Sequence, residues 1–136
     1  MDLMASMKLA AAGLKAQSGR MRVIAENLAN ANSTAKTPGG EPYRRKIPTF
    51  TQHFNRELGV KTVSVGRIRL DQSEFGKRYE PGHPAADAKG YVQLPNVNAL
   101  VESMDMREAQ RSYEANLNVI SATRRMLART LEILRV

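Results

Sequence analysis

Two histidines, His53 and His83, are the only imidazoles in the 136 residues, and cysteine is absent. A thiolate nucleophile, a disulfide framework and a thiolate metal site are therefore excluded. An imidazole that binds zinc or catalyses needs further ligands at suitable spacing. His83 has Asp87 four residues on, but the intervening Pro84 argues against a helical i, i+4 pair, and His83 reads as an exposed loop residue. Asp71, Glu74 and Glu80 are the residue type of acid/base chemistry, yet no pattern fixes two of them in one pocket, so they read as surface carboxylates. Ser112 lies between Arg111 and Tyr113 with no candidate base. Gly39-Gly40 lacks both the spacing and the lysine of a phosphate loop. These residues build no catalytic, metal or cofactor site.

Charge offers a second kind of function. The net charge is +8, and residues 43–98 hold ten basic against five acidic side chains. Arg44-Arg45-Lys46 is the densest basic run, and such a run suits nucleic acid or anionic lipid. Against that, Phe and Tyr total only seven and Trp is absent, so few rings are available to stack on a single strand. No recognition-helix motif appears either. The run reads as a solvated loop or one that makes salt bridges to a neighbouring chain, and no nucleic-acid partner is expected. A membrane span needs about 18 apolar residues, whereas the longest uninterrupted run is Leu9 to Leu14. Asp2 and Lys8 make the first residues a poor secretory signal, so direct membrane insertion is not expected.

The elements around these residues are more regular. Leu3, Met7, Ala10, Leu14, Gln17, Met21, Ile24 and Leu28 follow one another at alternating steps of four and three, a heptad seam over a helix at 3–30. Gly13 and Gly19 should weaken it, by about 1 kcal/mol each relative to Ala. Asn30, Asn32, Ser33 and Thr34, then Thr37-Pro38-Gly39-Gly40, end the helix. Phe50, Phe54, Val60, Val63, Val65, Ile68 and Leu70 alternate with Thr, Gly and Pro and favour short strands. Val63 and Val65 share a strand face, Ile68 and Leu70 the other, and Gly66 at the change of phase predicts a β-bulge. Tyr79 to Pro84 reads as a stiff bend with Gly82 at positive φ, and Gly90 to Leu94 as one more strand.

Residues 99–135 contain neither Pro nor Gly and follow Asn98, a good N-cap, so they predict one long helix. One face holds Met106, Ala109, Tyr113, Leu117, Ile120, Leu127, Leu131 and Leu134. Roughly opposite lie Val101, Met104, Ala115, Val119, Ala122, Met126 and Ile133. A returning N-terminal helix covers only one such face. The first face is therefore assigned to the seam with Leu3, Met7, Leu14, Met21 and Leu28, and the second to neighbouring chains. Asn116 lies near the first face and reads equally as a buried amide that fixes register at some cost in stability and as a tolerated boundary residue.

Four segments now bear a resemblance to a known family. They are Tyr79-Glu80-Pro81-Gly82-His83-Pro84-Ala85-Ala86-Asp87, Gly90-Tyr91-Val92-Gln93-Leu94-Pro95-Asn96-Val97-Asn98, Arg111-Ser112-Tyr113-Glu114-Ala115-Asn116 and Asn27-Leu28-Ala29-Asn30-Ala31-Asn32. Together they resemble the proximal-rod subunits of the C type in the bacterial flagellar basal body. Asn27 and Asn30 belong to a motif shared among axial proteins. The set Pro81, Gly82, Pro84, Asp87, Gly90, Tyr91, Pro95, Asn96, Val97 and Asn98 is more specific. The resemblance implies terminal helices paired in a coiled-coil layer around a hollow tube, and export, unfolded, through the flagellar type III channel without a cleaved signal. It also implies a place in the rod that crosses the periplasm. The partners would be further copies, other rod subunits, and the membrane-ring or export-gate end of the basal body.

The expected fold is α+β. Two long terminal helices pair as an antiparallel coiled coil, drawn from 1–42 and 96–136, with a β-rich insertion at 43–95. The expected function is structural, without enzyme activity or cofactor. A soluble coiled-coil adaptor and a basic nucleic-acid-binding protein are the alternatives.

Overall fold

In the computed structural model, which describes residues 2–135, two long helices enclose six short strands. Helix α1 runs Leu3–Ala29. Asp2 caps it, its side chain accepting from the Ala5 N–H. At the other end the Asn30 amide donates to the Glu26 carbonyl at 2.9 Å and closes the last turn. Helix α2 runs Ala99–Leu134 and is capped by Asn98, whose Oδ1 accepts from Leu100 N–H (3.1 Å) and Val101 N–H (3.3 Å). A short polar side chain at each N-cap satisfies donors that the helix itself cannot.

The helices are antiparallel. Gly13 lies against Asn116, Arg20 pairs with Glu108 at 3.5 Å, and Asn27 meets Glu102 at 3.2 Å. Between the helices, β1 (Lys46–Ile47) pairs with β4 (Arg69–Leu70), β2 (Phe50–Asn55) with β3 (Val60–Val65), and β5 (Gly76–Tyr79) with β6 (Tyr91–Leu94). All three ladders are antiparallel, and Gly59 at φ 64° turns the β2–β3 hairpin. No bulge forms at Gly66. Its N–H donates to Thr49 O at 2.7 Å, closing that hairpin, and the chain then leaves for a different ladder. Changing ladders resolves the change of phase that would otherwise call for a bulge.

The chain forms two compact units, each using parts of both helices. One comprises Met1–Met21, Thr49–Arg67 and Arg107–Val136. Its buried apolar side chains, among the described residues, are Ala5, Ala10, Ala16 and Ala109. Alanine lets backbones approach but removes little apolar area from water. The two glycines of α1 belong to this close approach. A Cβ on Gly13 would lie 2.8 Å from Asn116 Nδ2, and one on Gly19 would lie 2.6 Å from Val65 Cγ2. They are where neighbours press on the helix, beyond any loss of propensity. The other unit comprises Arg22–Pro48 and Ile68–Met106 and buries Val23, Ile24, Ala85 and Val92.

The seam along α2 is a 4–3 repeat of Glu102, Met106, Ala109, Tyr113, Asn116, Ile120, Thr123 and Leu127, each buried or half-buried. Leu117, expected in it, is 45% exposed. Asn116 takes the position, which turns the next side chain about 100° away. Leu131 and Leu134 are 65% and 76% exposed and do not join the seam either. In the register set by Gly13–Asn116 and Arg20–Glu108, α1 begins opposite the residues just before Leu127. On α1, Leu3, Met7, Leu14, Met21 and Leu28 are half-buried, while Ala5, Ala16, Val23 and Asn27 lie deeper.

Candidate functional site

The most enclosed polar cluster is built around Asn27, near the end of α1. Asn27 has no exposed surface. Its Oδ1 accepts from Tyr43 Oη (2.8 Å) and Lys46 N–H (3.0 Å). Its Nδ2 donates to Lys46 O (2.8 Å) and Glu102 Oε2 (3.2 Å). A primary amide has two donors and an oxygen with two lone pairs, so Asn27 is fully satisfied. It clasps both backbone groups of Lys46, as a neighbouring strand would, and reaches α2 at the same time.

Glu102, 1% exposed, takes its second partner from the insertion, as Arg45 Nε donates to Oε1. The same guanidinium lies 3.5 Å from Asp71 and 4.0 Å from Asp105. Arg45 N–H donates to Asn96 Oδ1 at 2.7 Å, and Asn96 Nδ2 donates to Asp71 O (3.0 Å) and Ser73 O (3.2 Å). Lys46 Nζ pairs with Glu26, and the Arg44 guanidinium sits 4.3 Å over the Phe75 ring. The basic run is thus not a solvated loop awaiting another chain. Each of its three cations has a partner inside this one, and for Arg45 the reason is that burying Glu102 requires a paired cation.

The electrostatics follow the contacts. Burial, then the charges of Glu26 and Glu102, push the Tyr43 phenol up to about 12. Hydrogen bonds from the Ser73 backbone and side chain, with Arg45 nearby, hold the Asp71 carboxyl below its ordinary value. Every side chain in the cluster is engaged by another or by backbone. Chemically, the arrangement fastens α1, the insertion and α2 together; it leaves no free nucleophile or base. Among the described residues, no group of three or more His, Cys, Asp or Glu converges as a metal site.

A second cluster shapes the loop between β5 and β6. Asp87 Oδ1 accepts from Lys89 N–H (2.9 Å) and Tyr91 N–H (3.0 Å), and Asp87 N–H donates to Tyr91 O (2.9 Å). Those bonds, Tyr91 first, hold its carboxyl below the usual range. Gly90, not Gly82, is the glycine at positive φ, at 85°. A Cβ there would lie 2.9 Å from the Tyr79 ring and 3.2 Å from Pro81, whereas one on Gly82 would meet nothing within 4 Å. The Tyr79 and Tyr91 rings meet edge to face at 5.3 Å. His83 is half-buried, its Nδ1 accepting from Ala85 N–H at 3.0 Å. Pro95 is buried, Val97 half-buried, and Pro81 and Pro84 exposed.

The third feature is an open surface. Val101 and Val119 are each 45% exposed, Met104 63%, Met126 54% and Ile133 75%. They share one side of α2, turned away from the seam. Glu102 and Thr123 in the seam are polar, so an apolar repeat does not reveal them. The available signal was their spacing of seven from Ala109 and from Asn116. Thr123 tolerates burial because its hydroxyl donates to Val119 O at 2.8 Å.

A helix pair fastened by a satisfied polar cluster, with a long apolar stripe left open, has the features of a structural subunit. The comparisons agree. Residues 7–35 match the family described as Flagella basal body rod protein, and residues 88–133 match the Flagellar basal body rod FlgEFG protein C-terminal family. The flagellar basal-body rod protein FlgC of Agrobacterium fabrum is 50% identical over 133 residues, 98% of this chain and 96% of that one. FlgC of Bacillus subtilis is 41% identical over 143 residues (94% and 95%), and FlgC of Escherichia coli 39% over 133 residues (98% of each). The chain belongs to the FlgC family of flagellar basal-body rod proteins and is a structural subunit of that rod. Among the described residues, no helix is long and apolar enough to cross a membrane.

Proposed function

We propose that the chain polymerises with further copies of itself and with other rod subunits into the hollow proximal part of the rod, and transmits torque along it. In this reading the helices of 1–42 and 96–136 supply the axial core, and 43–95 is an insertion that meets neighbours. The subunit reaches the rod, which crosses the periplasm, through the flagellar type III channel, unfolded and without a cleaved signal. It has no catalytic role. The observation that carries the reading is the stripe of Val101, Met104, Val119, Met126 and Ile133, exposed along a 36-residue helix whose opposite side is occupied as far as Leu127.

Covering one such side chain contributes about 1.5–3 kcal/mol, and a buried charge there costs more than that. Val119→Glu and Met126→Glu should therefore block incorporation while leaving synthesis and export intact. Arg107→Gln, exposed and off both stripes, should assemble normally. The measurement is swimming motility and the amount of subunit in purified basal bodies. Normal assembly of both glutamate variants would show that the stripe faces solvent in the rod.

A further inference from the structure

The hairpin of β5 and β6 has a covered side and an open one. Val92, on the covered side, has no exposed surface. Lys77 stands opposite Gln93 and Tyr79 opposite Tyr91, and strand alternation puts all four on the other side. All four are exposed, Tyr79 by 63% and Tyr91 by 42%. The rings are held in place even so. They meet edge to face at 5.3 Å, and Tyr79 packs on Gly90, where a Cβ would lie 2.9 Å from the ring.

Three concavities join across this face, all within the unit of Arg22–Pro48 and Ile68–Met106. One of about 470 Å³ is lined by Lys77, Asp87, Lys89 and Tyr91. A second, of about 390 Å³, shares Lys77 with it and adds Glu74 and Gln93. A third, of about 120 Å³, shares Asp87 and Tyr91 with the first and Gln93 with the second. Together they form one open groove. Among the described residues, Lys77, Lys89, Glu74 and Asp87 have no opposite charge within ion-pair distance. Arg44, at one end, is already engaged by the Phe75 ring and the Asp71 carbonyl.

Two rings, two ammonium groups, two carboxylates and an amide make a mixed lining of balanced charge. The phosphates of a nucleic acid would meet Glu74 and Asp87, which repel them. An apolar helix laid here would strip water from charges that it cannot pair. A polysaccharide meets both demands. The faces of its sugar rings are C–H groups, which pack on tyrosine rings. Its hydroxyls both donate and accept, so they pair with ammonium, carboxylate and amide alike. We propose that the open face of β5 and β6 binds a polysaccharide strand of low charge density, the glycan of the cell wall. The choice of source rests on the reading of this chain as a rod subunit, since such a rod crosses the periplasm, where that glycan lies.

The test is co-sedimentation of the purified chain with peptidoglycan sacculi in about 1 M salt, which screens charges beyond about 3 Å. The salt matters because a chain of net charge +8 adheres to acidic surfaces without any site. The parent should sediment, and Tyr91→Ala should bind about tenfold more weakly. Tyr91 also shapes its loop, so Lys77→Ala with Gln93→Ala is the second variant. Both of those side chains are exposed, and this variant should lose binding while keeping the parent's urea midpoint. Arg56→Gln, exposed in the other unit, should bind like the parent. No sedimentation of the parent, sedimentation at low salt only, or equal sedimentation of every variant overturns the groove and spares the rod reading. Equal retention on cellulose overturns the wall as the source. Absence of the chain from purified basal bodies overturns the rod reading, and the wall as the source with it.

Discussion

Replacing Asn27 with alanine should be the most damaging single truncation outside the apolar seam. The change deletes four hydrogen bonds: two to the Lys46 backbone, one from Tyr43 and one to Glu102. A typical bond contributes about 0.5–1.5 kcal/mol net, and a buried partner left unmatched costs about 1–3 kcal/mol, more if charged. Tyr43 and Lys46 are half-buried, so water can replace part of what they lose. Glu102, at 1% exposed, has no such recourse at Oε2. The expected loss is about 3–5 kcal/mol. Asn30, its companion in the family motif, makes only a cap to Glu26 O, which its own backbone N–H also reaches at 3.2 Å. Asn30→Ala should therefore lose about 1 kcal/mol or less. Urea unfolding of the purified chain, followed by far-ultraviolet circular dichroism, gives both values. If Asn27→Ala lost no more than Asn30→Ala, the cluster would be ornamental and the account of its burial wrong.

Gly90→Ala should destabilise by about 1–2 kcal/mol from its left-handed backbone alone, with displacement of the Tyr79 ring adding to it. Gly82→Ala should stay within about 0.5 kcal/mol of the parent in the same urea assay; the reverse order would mean that the loop is pinned elsewhere. Tyr43 links stability to alkaline pH, because its folded value is about 12 against an ordinary 10.0. The sign follows from proton binding: below the unfolded value both states hold the proton and the contribution is whole. As pH rises from there through the folded value, the unfolded chain loses the proton first and stability falls. Tyr43→Phe should flatten the fall in urea midpoint between about pH 10 and about pH 12. An unchanged slope would refute the assignment.

Both helices were legible because their signals are local and repeated. Asn98 caps α2, Asn30 closes α1, and no proline interrupts 99–135. The strands were legible as a region but not as pairings, since the choice of ladder depends on what closes at Gly66 and Asp71. Asp71 N–H donates to Arg45 O at 2.9 Å, which a sequence pattern does not reveal. The polar cluster was the least legible part. Asn27, Arg45, Asn96 and Glu102 lie far apart in the chain, and each alone resembles an ordinary surface residue.

What the amino-acid order determined by itself is therefore the pair of long helices and the second apolar stripe. These depend on periodicity and on residue chemistry, which are readable without coordinates. Tertiary structure alone decided which residues fill the seam, because register is set where a side chain of α2 seats on a glycine of α1: Asn116 on Gly13. It also decided that a basic run is consumed inside the chain. A cation and a carboxylate 57 positions apart become partners only once the fold removes both from water and leaves each no better alternative.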